Sequence, residues 1–185
     1  MKPLLILDID ETLIHTDTAP LEYEKHLDFD FKFKGDSSKS LYYTKKRPYL
    51  DEFLKFAFEK FDVAIWTAAG SEYAEEILKG IGLDKSKLEF FYTQENCTIK
   101  VTPGYTKYYG VKNLTKLRKK GYDLNKVLIV DDVQETAVNN YGNLIKIKPF
   151  TDDPDDIELL KLISYLQKIK DEPNYRRIEK RGWSV

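Results

Sequence analysis

Five short apolar runs, at residues 4–7, 63–66, 88–92, 127–130 and 144–147, are strung along the chain with helix-like segments between or after them. Runs this short and this continuous suit strands buried on both faces. The helical candidates lie around 71–80, 111–120 and 156–170. A further one follows Pro48, where Leu50, Phe53, Leu54 and Ala57 recur at helical spacing up to Lys60. Strands alternating with helices predict an α/β fold with a mainly parallel central sheet flanked by helices.

One stretch breaks this rhythm. Leu27, Phe29, Phe31 and Phe33 alternate with Asp28, Asp30, Lys32 and Lys34, residues 35–40 are turn-forming, and 41–44 suit a returning strand. The pattern predicts a small β-hairpin inserted after the first strand, at about 16–46, and no large cap.

With 185 residues the chain supports one full core, so a single domain over 1–170 is expected, with 171–185 as a charged tail. Basic and acidic side chains number 30 and 31, which leaves no global field to attract nucleic acid or a membrane surface. Cys97 is the only cysteine, so an intrachain disulfide is excluded and a reducing compartment fits. The opening Met1-Lys2-Pro3 leads into an apolar run too brief and too soon acidic for a signal peptide or a spanning helix. The expectation is a monomeric cytoplasmic protein with no membrane association.

Parallel sheets bind ligands at the carboxyl ends of their strands. There the first run ends in Asp8, the second in Thr67 and the fourth in Asp131-Asp132. Alternate side chains of an extended segment share a face, so Asp8 and Asp10 face one crevice, with Asp131 and Asp132 arriving from another strand. Four carboxylates together repel, so either some are protonated or a cation sits among them. Oxygen ligands without histidine or cysteine favour a hard ion such as Mg²⁺. Acidic residues after a strand are often only caps or solvated turn residues. The second acidic pair and Thr67, each at another strand end, make a site the better reading.

Asp8-Ile9-Asp10-Glu11-Thr12-Leu13 resembles the DxDxT signature of haloacid-dehalogenase-type phosphatases, in the variant of the family that dephosphorylates the C-terminal domain of RNA polymerase II. The blocks Lys46-Arg47-Pro48 with Asp51-Glu52-Phe53-Leu54, Thr67-Ala68 with Tyr73-Ala74, Glu95-Asn96-Cys97, Val111-Lys112-Asn113-Leu114 and Val130-Asp131-Asp132 resemble that family's blocks in their usual order. The resemblance covers about 4–166. It implies a Rossmann-like fold of the haloacid-dehalogenase type and phosphomonoester hydrolysis through an aspartyl-phosphate, with phosphoserine or phosphothreonine in protein as substrate. Carried over by position, Asp8 is the nucleophile and Asp10 the acid and base. Thr67, Ala68 and Lys112 would hold the phosphoryl oxygens. Asp8, the Asp10 backbone carbonyl and Asp132 would hold Mg²⁺, with Asp131 beside them.

The chain departs from the family at Gln94, where an arginine is usual, and at Thr18, where an aromatic residue is usual. Both positions serve a proline-containing phosphopeptide. The loop between Cys97 and Lys112 is longer than usual and carries Tyr105, Tyr108, Tyr109, Lys100 and Lys107. It supports a second reading, a nucleic-acid end phosphatase, and makes Lys107 the rival of Lys112 for the phosphate. A catalytically idle binding module is the third, but it has no need of this whole set. His15, Cys97 and Trp66 are expected to pack or cap, and the basic clusters at 45–47, 118–120 and 176–177 to be solvated faces.

Overall fold

The computed structural model describes residues 2–20, 28–35, 40–101 and 108–184. A five-stranded sheet runs through its centre, built from β1 (Leu4–Leu7), β5 (Asp62–Trp66), β6 (Phe91–Tyr92), β9 (Val127–Asp131) and β10 (Leu144–Lys146) in the order β10-β9-β1-β5-β6. Every pairing is parallel, and Leu4 of β1 stands opposite both Asp62 and Val127. The sequence expectation of a parallel α/β core therefore holds.

The apolar runs are continuous because both faces are covered. Leu5, Leu7, Val63, Ile65, Leu128 and Val130 face a core completed by α1 (Leu50–Lys60), α2 (Ser71–Gly80) and α4 (Glu158–Ile169). The alternate residues Leu4, Ile6, Ala64, Trp66, Val127 and Ile129 face a second core with Leu114, Leu117 and Ala137. Each buried Leu, Ile or Val side chain contributes about 1.5–3 kcal/mol, which fixes the strand register.

The insertion is larger than a hairpin. It is a three-stranded antiparallel sheet of β2 (Ile14–Pro20), β3 (Phe31–Lys34) and β4 (Ser40–Lys46), in the order β2-β4-β3. The third strand is β2, whose run His15-Thr16-Asp17-Thr18 lacks apolar alternation. Backbone pairing holds it, helped by a 3.0 Å hydrogen bond between the Thr16 and Thr44 hydroxyls. Phe33 and Tyr42 stack at 5.0 Å and lean on Tyr73 of α2. Leu27, part of the alternation that marked β3, lies outside the described residues.

Four further segments differ from expectation. Only Phe91 and Tyr92 of the run 88–92 form a strand, at the sheet edge. The long loop 98–112 is an antiparallel hairpin of β7 (Thr98–Val101) and β8 (Tyr108–Val111), with Tyr105 and Lys107 outside the described residues. The helix expected over 111–120 shrinks to α3 (Thr115–Arg118), because the Asn113 carboxamide oxygen accepts from the Thr115 amide at 3.1 Å and starts the helix after it. The segment read as a charged tail is packed through 184: Tyr175 is fully buried and the Trp183 indole donates to the Lys146 carbonyl at 2.7 Å. No helix among the described residues is long and apolar enough to cross a membrane.

Candidate active site

β1 is the central strand, so its carboxyl end opens at the middle of the sheet edge. The chain stops pairing at Asp8, whose amide still donates to the Val130 carbonyl at 3.0 Å. It then curls tightly: the Ile9 carbonyl accepts from Leu13 at 2.8 Å, and the Glu11 amide donates to the Ile14 carbonyl at 2.8 Å. Ile9 is buried in the core, which leaves Asp8 and Asp10 on the open side. The curl places Glu11 at a φ of 56°, a left-handed conformation costing about 1–2 kcal/mol for a non-glycine residue.

Lys112 fixes the centre. Its ammonium donates to Asp8 Oδ1 at 2.5 Å and to Asp131 Oδ2 at 2.7 Å, and the lysine is buried between them. Lys112 sits immediately after β8 rather than at the start of a helix. Its amide donates to the Thr136 carbonyl at 2.8 Å and its carbonyl accepts from the Asn140 side chain at 3.0 Å. Asp131 is held from the other side by the Thr136 hydroxyl at 2.6 Å and the Val133 amide at 2.8 Å. Thr67 directly follows β5, its hydroxyl accepting from the Ala69 amide at 3.0 Å, with Ala68 exposed in the same turn.

Carboxylate oxygens of Asp8, Asp131 and Asp132 come within 4.8 Å of one another. Their electrostatics are unbalanced. Burial raises Asp8, Lys112 opposes, and the Asp131 and Asp10 charges add, leaving Asp8 at about 8. Asp132 is pushed up to about 6, by burial first and then by Asp131. Burial works against the Lys112 ammonium, but the two facing carboxylates outweigh it and hold its pKa above the ordinary lysine value. One ammonium among these carboxylates leaves negative charge in excess, and an all-oxygen donor set lacking histidine and cysteine fits a hard divalent cation.

Burial also raises Asp10, against a 2.5 Å hydrogen bond from the Tyr73 hydroxyl. Tyr73 belongs to the sequence block beside Thr67, but its bond to Asp10 leaves no trace in the sequence. Thr136 and Asn140 carried no signal at all, since their partners are set by a loop. His15 Nδ1 meets the Glu11 carboxylate at 2.9 Å and its ring edges onto Phe150, the packing role expected of it. Cys97 is a buried free thiol behind Thr67, 3.8 Å from the Thr67 carbonyl. Thr18 and Gln94 are both exposed.

The sequence profile of the NLI interacting factor-like phosphatases matches residues 3–176, nearly the whole chain and all the residues just described. The chain belongs to this phosphatase family. It is 33% identical over 168 residues to CTD small phosphatase-like protein 2 of Dictyostelium discoideum, covering 91% of this chain and 27% of that protein. It is 29% identical over 184 residues to nuclear envelope morphology protein 1 of Saccharomyces cerevisiae, covering 96% of this chain and 41% of that one. The chain thus spans less than half the length of these relatives. Among solved structures, a variant of the fission yeast RNA polymerase II CTD phosphatase Fcp1 bound to beryllium fluoride superposes with a TM-score of 0.62 at 22% identity, over 94% of this chain and 53% of that one. The shared architecture is the haloacid-dehalogenase fold, as the sequence resemblance implied.

Proposed function

We propose that the chain is a Mg²⁺-dependent phosphomonoesterase that works through an aspartyl-phosphate on Asp8 and acts on phosphoserine or phosphothreonine in protein. The observation that carries the reading is the buried Lys112 ammonium shared by Asp8 and Asp131, beside a second aspartate, Asp10, held by Tyr73. In phosphoryl transfer charge spreads over the equatorial oxygens, so a fixed cation next to the attacking carboxylate is what the protein can best contribute.

An Asp8 oxygen attacks phosphorus in line and the seryl or threonyl oxygen leaves, taking the proton from Asp10. Asp10, now a carboxylate, removes a proton from the water that attacks phosphorus of the acyl phosphate, which frees Asp8 and phosphate. Its burial favours the protonated form needed for the first step. Lys112, the Thr67 hydroxyl and the backbone at Ala68 hold the non-bridging oxygens. Asp8, the Asp10 carbonyl and Asp132, with Asp131 beside them, would hold Mg²⁺, which when bound supplies positive charge to the phosphoryl oxygens.

Among the described residues, an insertion of three short strands suits a cleft that admits a protein loop. The exposed Thr18 and Gln94 argue for a peptide other than a proline-rich polymerase tail. A single buried thiol suits a reducing compartment such as the cytoplasm. Hydrolysis of p-nitrophenyl phosphate with and without Mg²⁺ tests the chemistry. Activity should depend on the metal and vanish in Asp8→Asn with an unchanged circular dichroism spectrum, whereas an Asp8→Asn protein of wild-type rate refutes the nucleophile. A panel of phosphopeptides against 5′- and 3′-phosphorylated oligonucleotides tests the substrate class, and faster turnover of the oligonucleotides would reverse it.

A further inference from the structure

Beyond the catalytic centre the molecule carries a second concavity, a cleft of about 720 Å³ along the β10 edge of the sheet. One end is Gln134, two residues past Asp132. The floor is β10, and the far wall is the chain from Arg176 to Ser184. Lys146 stands in register with Asp131 on the neighbouring strand, so their Cα atoms lie about 5 Å apart and their side chains leave the same face of the sheet. The cleft therefore begins at the rim of the active site.

Its wall is built rather than draped. Lys180 is buried, and its ammonium donates to the carbonyls of Gly142 at 2.8 Å, Tyr175 at 2.5 Å and Ile178 at 3.0 Å. These bonds tie the 3-10 turn Tyr141–Asn143 to the turn Tyr175–Arg177. The two turns are so close that a β-carbon on Gly142 would stand 3.1 Å from the Arg176 carbonyl oxygen. The Trp183 indole closes the other side on the Lys146 carbonyl.

The charges on this wall are one-sided. Arg181 is paired with Glu179 at 2.7 Å, which neutralises the one acidic side chain of the lining. Lys146, Arg176 and Arg177 are exposed and make no ion pair among the described residues. Tyr141, about half exposed, lies among them. Three cations rise from a rigid groove backbone and have no counter-charge among the described residues.

We infer that this groove binds an acidic segment of the protein substrate, carboxylate or phosphorylated side chains some residues away from the phosphate being removed. The inference rests on the phosphatase reading for its substrate but not for the binding. A nucleic-acid strand fits less well, since it presents a charge about every 3.4 Å and the lining offers only three cations that are not already paired. A few discrete acidic side chains match three such charges.

The test uses Lys146→Ala and the pair Arg176→Ala/Arg177→Ala, separately and combined, each checked by circular dichroism. Fluorescence anisotropy with a labelled glutamate-rich peptide should show binding weakened about tenfold in the combined variant, equivalent to about 1.4 kcal/mol. The rate on p-nitrophenyl phosphate should not change. Phosphopeptides with an acidic flank should lose kcat/KM in the variant by the same factor, while neutral-flanked ones do not. Raising salt to about 1 M, where the Debye length falls to about 3 Å, should release the peptide from the wild type without any substitution. Equal binding by wild type and variant, or tighter binding of a single-stranded oligonucleotide or of phosphatidylserine vesicles than of the peptide, overturns the inference. A chain inert towards every phosphomonoester would instead refute the phosphatase reading, and the anisotropy would still judge the groove.

Discussion

Replacing Asp156 by alanine should destabilise the protein more than any single change at its surface. Arg47 is fully buried, and its five N–H groups are all engaged. Nε and Nη2 donate to the Asp156 carboxylate at 2.9 and 2.8 Å, Nη1 to the carbonyls of Thr12 and Glu11 at 3.1 and 3.4 Å, and Nη2 also to the Lys148 carbonyl at 2.8 Å. The two side chains are 0% and 2% exposed, so water cannot replace a lost partner. Asp156→Ala leaves a buried guanidinium without its carboxylate, at a cost of about 3–5 kcal/mol. At about 2–4 °C per kcal/mol for a chain of this size, the melting temperature falls by about 6–20 °C. Arg47→Met should cost more, because the Thr12 and Lys148 carbonyls lose their donor as well, while that of Glu11 keeps the Phe150 amide. Urea unfolding of both single variants and of Arg47→Met/Asp156→Ala measures the coupling. A loss below about 1 kcal/mol in Asp156→Ala, or strict additivity in the double variant, would refute the argument that the pair acts as one buried unit.

The remaining expectations concern the site. Tyr73→Phe removes the hydrogen bond to Asp10 without changing the ring contacts, so kcat should fall about tenfold or more with KM little changed, as steady-state kinetics on p-nitrophenyl phosphate would show. Thr136→Val removes one of the two donors to Asp131 Oδ2, Lys112 keeping the other, and should weaken Mg²⁺ binding about 10–100-fold by calorimetry, with the fold intact. Asp8 and Asp132 titrate above their unfolded values, so the folded metal-free state holds extra protons. The contribution of these two groups to its stability is fully present below the unfolded aspartate value of about 3.9 and is lost as pH rises through about 6 and 8. Mg²⁺ should accordingly raise the melting temperature more at pH 8 than at pH 5, and an equal rise at both would contradict the assignment. Asp156 works the other way. Burial would raise it, but hydrogen bonds from Arg47 and the Glu158 amide hold it below the usual range. Its contribution is present above about pH 4 and is lost as pH falls further, a loss that Asp156→Asn should not show in acid titrations followed by circular dichroism.

What the sequence made legible is what short-range physics encodes. A strand buried on both faces must be continuously apolar, so β1, β5 and β9 announced themselves, and the polar residues ending each run marked the catalytic rim. β2 was invisible because its residues are polar and its existence depends on pairing with β4, some twenty residues or more away. The helix after Lys112 looked longer than it is because helical spacing in 111–120 says nothing about the Asn113 side chain that delays its start. The packed segment after 170 looked like a tail because Lys180 and Trp183, which tie it to Gly142 and Lys146, are isolated residues whose partners there lie far back in the chain.

The same division explains which parts of the site are held by which means. Asp131 ends β9, and Asp8 and Thr67 directly follow β1 and β5, so their relative positions follow from strand register and would survive many substitutions elsewhere. Lys112 and Asp10 do not. Lys112 is placed by the end of a hairpin and by the Thr136 and Asn140 loop, Asp10 by a tight turn clamped through Arg47 and by Tyr73, which itself leans on the insertion sheet. Lys112 and Asp10 are thus the two residues of the candidate site whose position depends on distant packing. Substitutions in the insertion sheet or around Arg47 should therefore lower turnover before they unfold the central sheet, which separates the catalytic turn from the core as distinct targets of mutation.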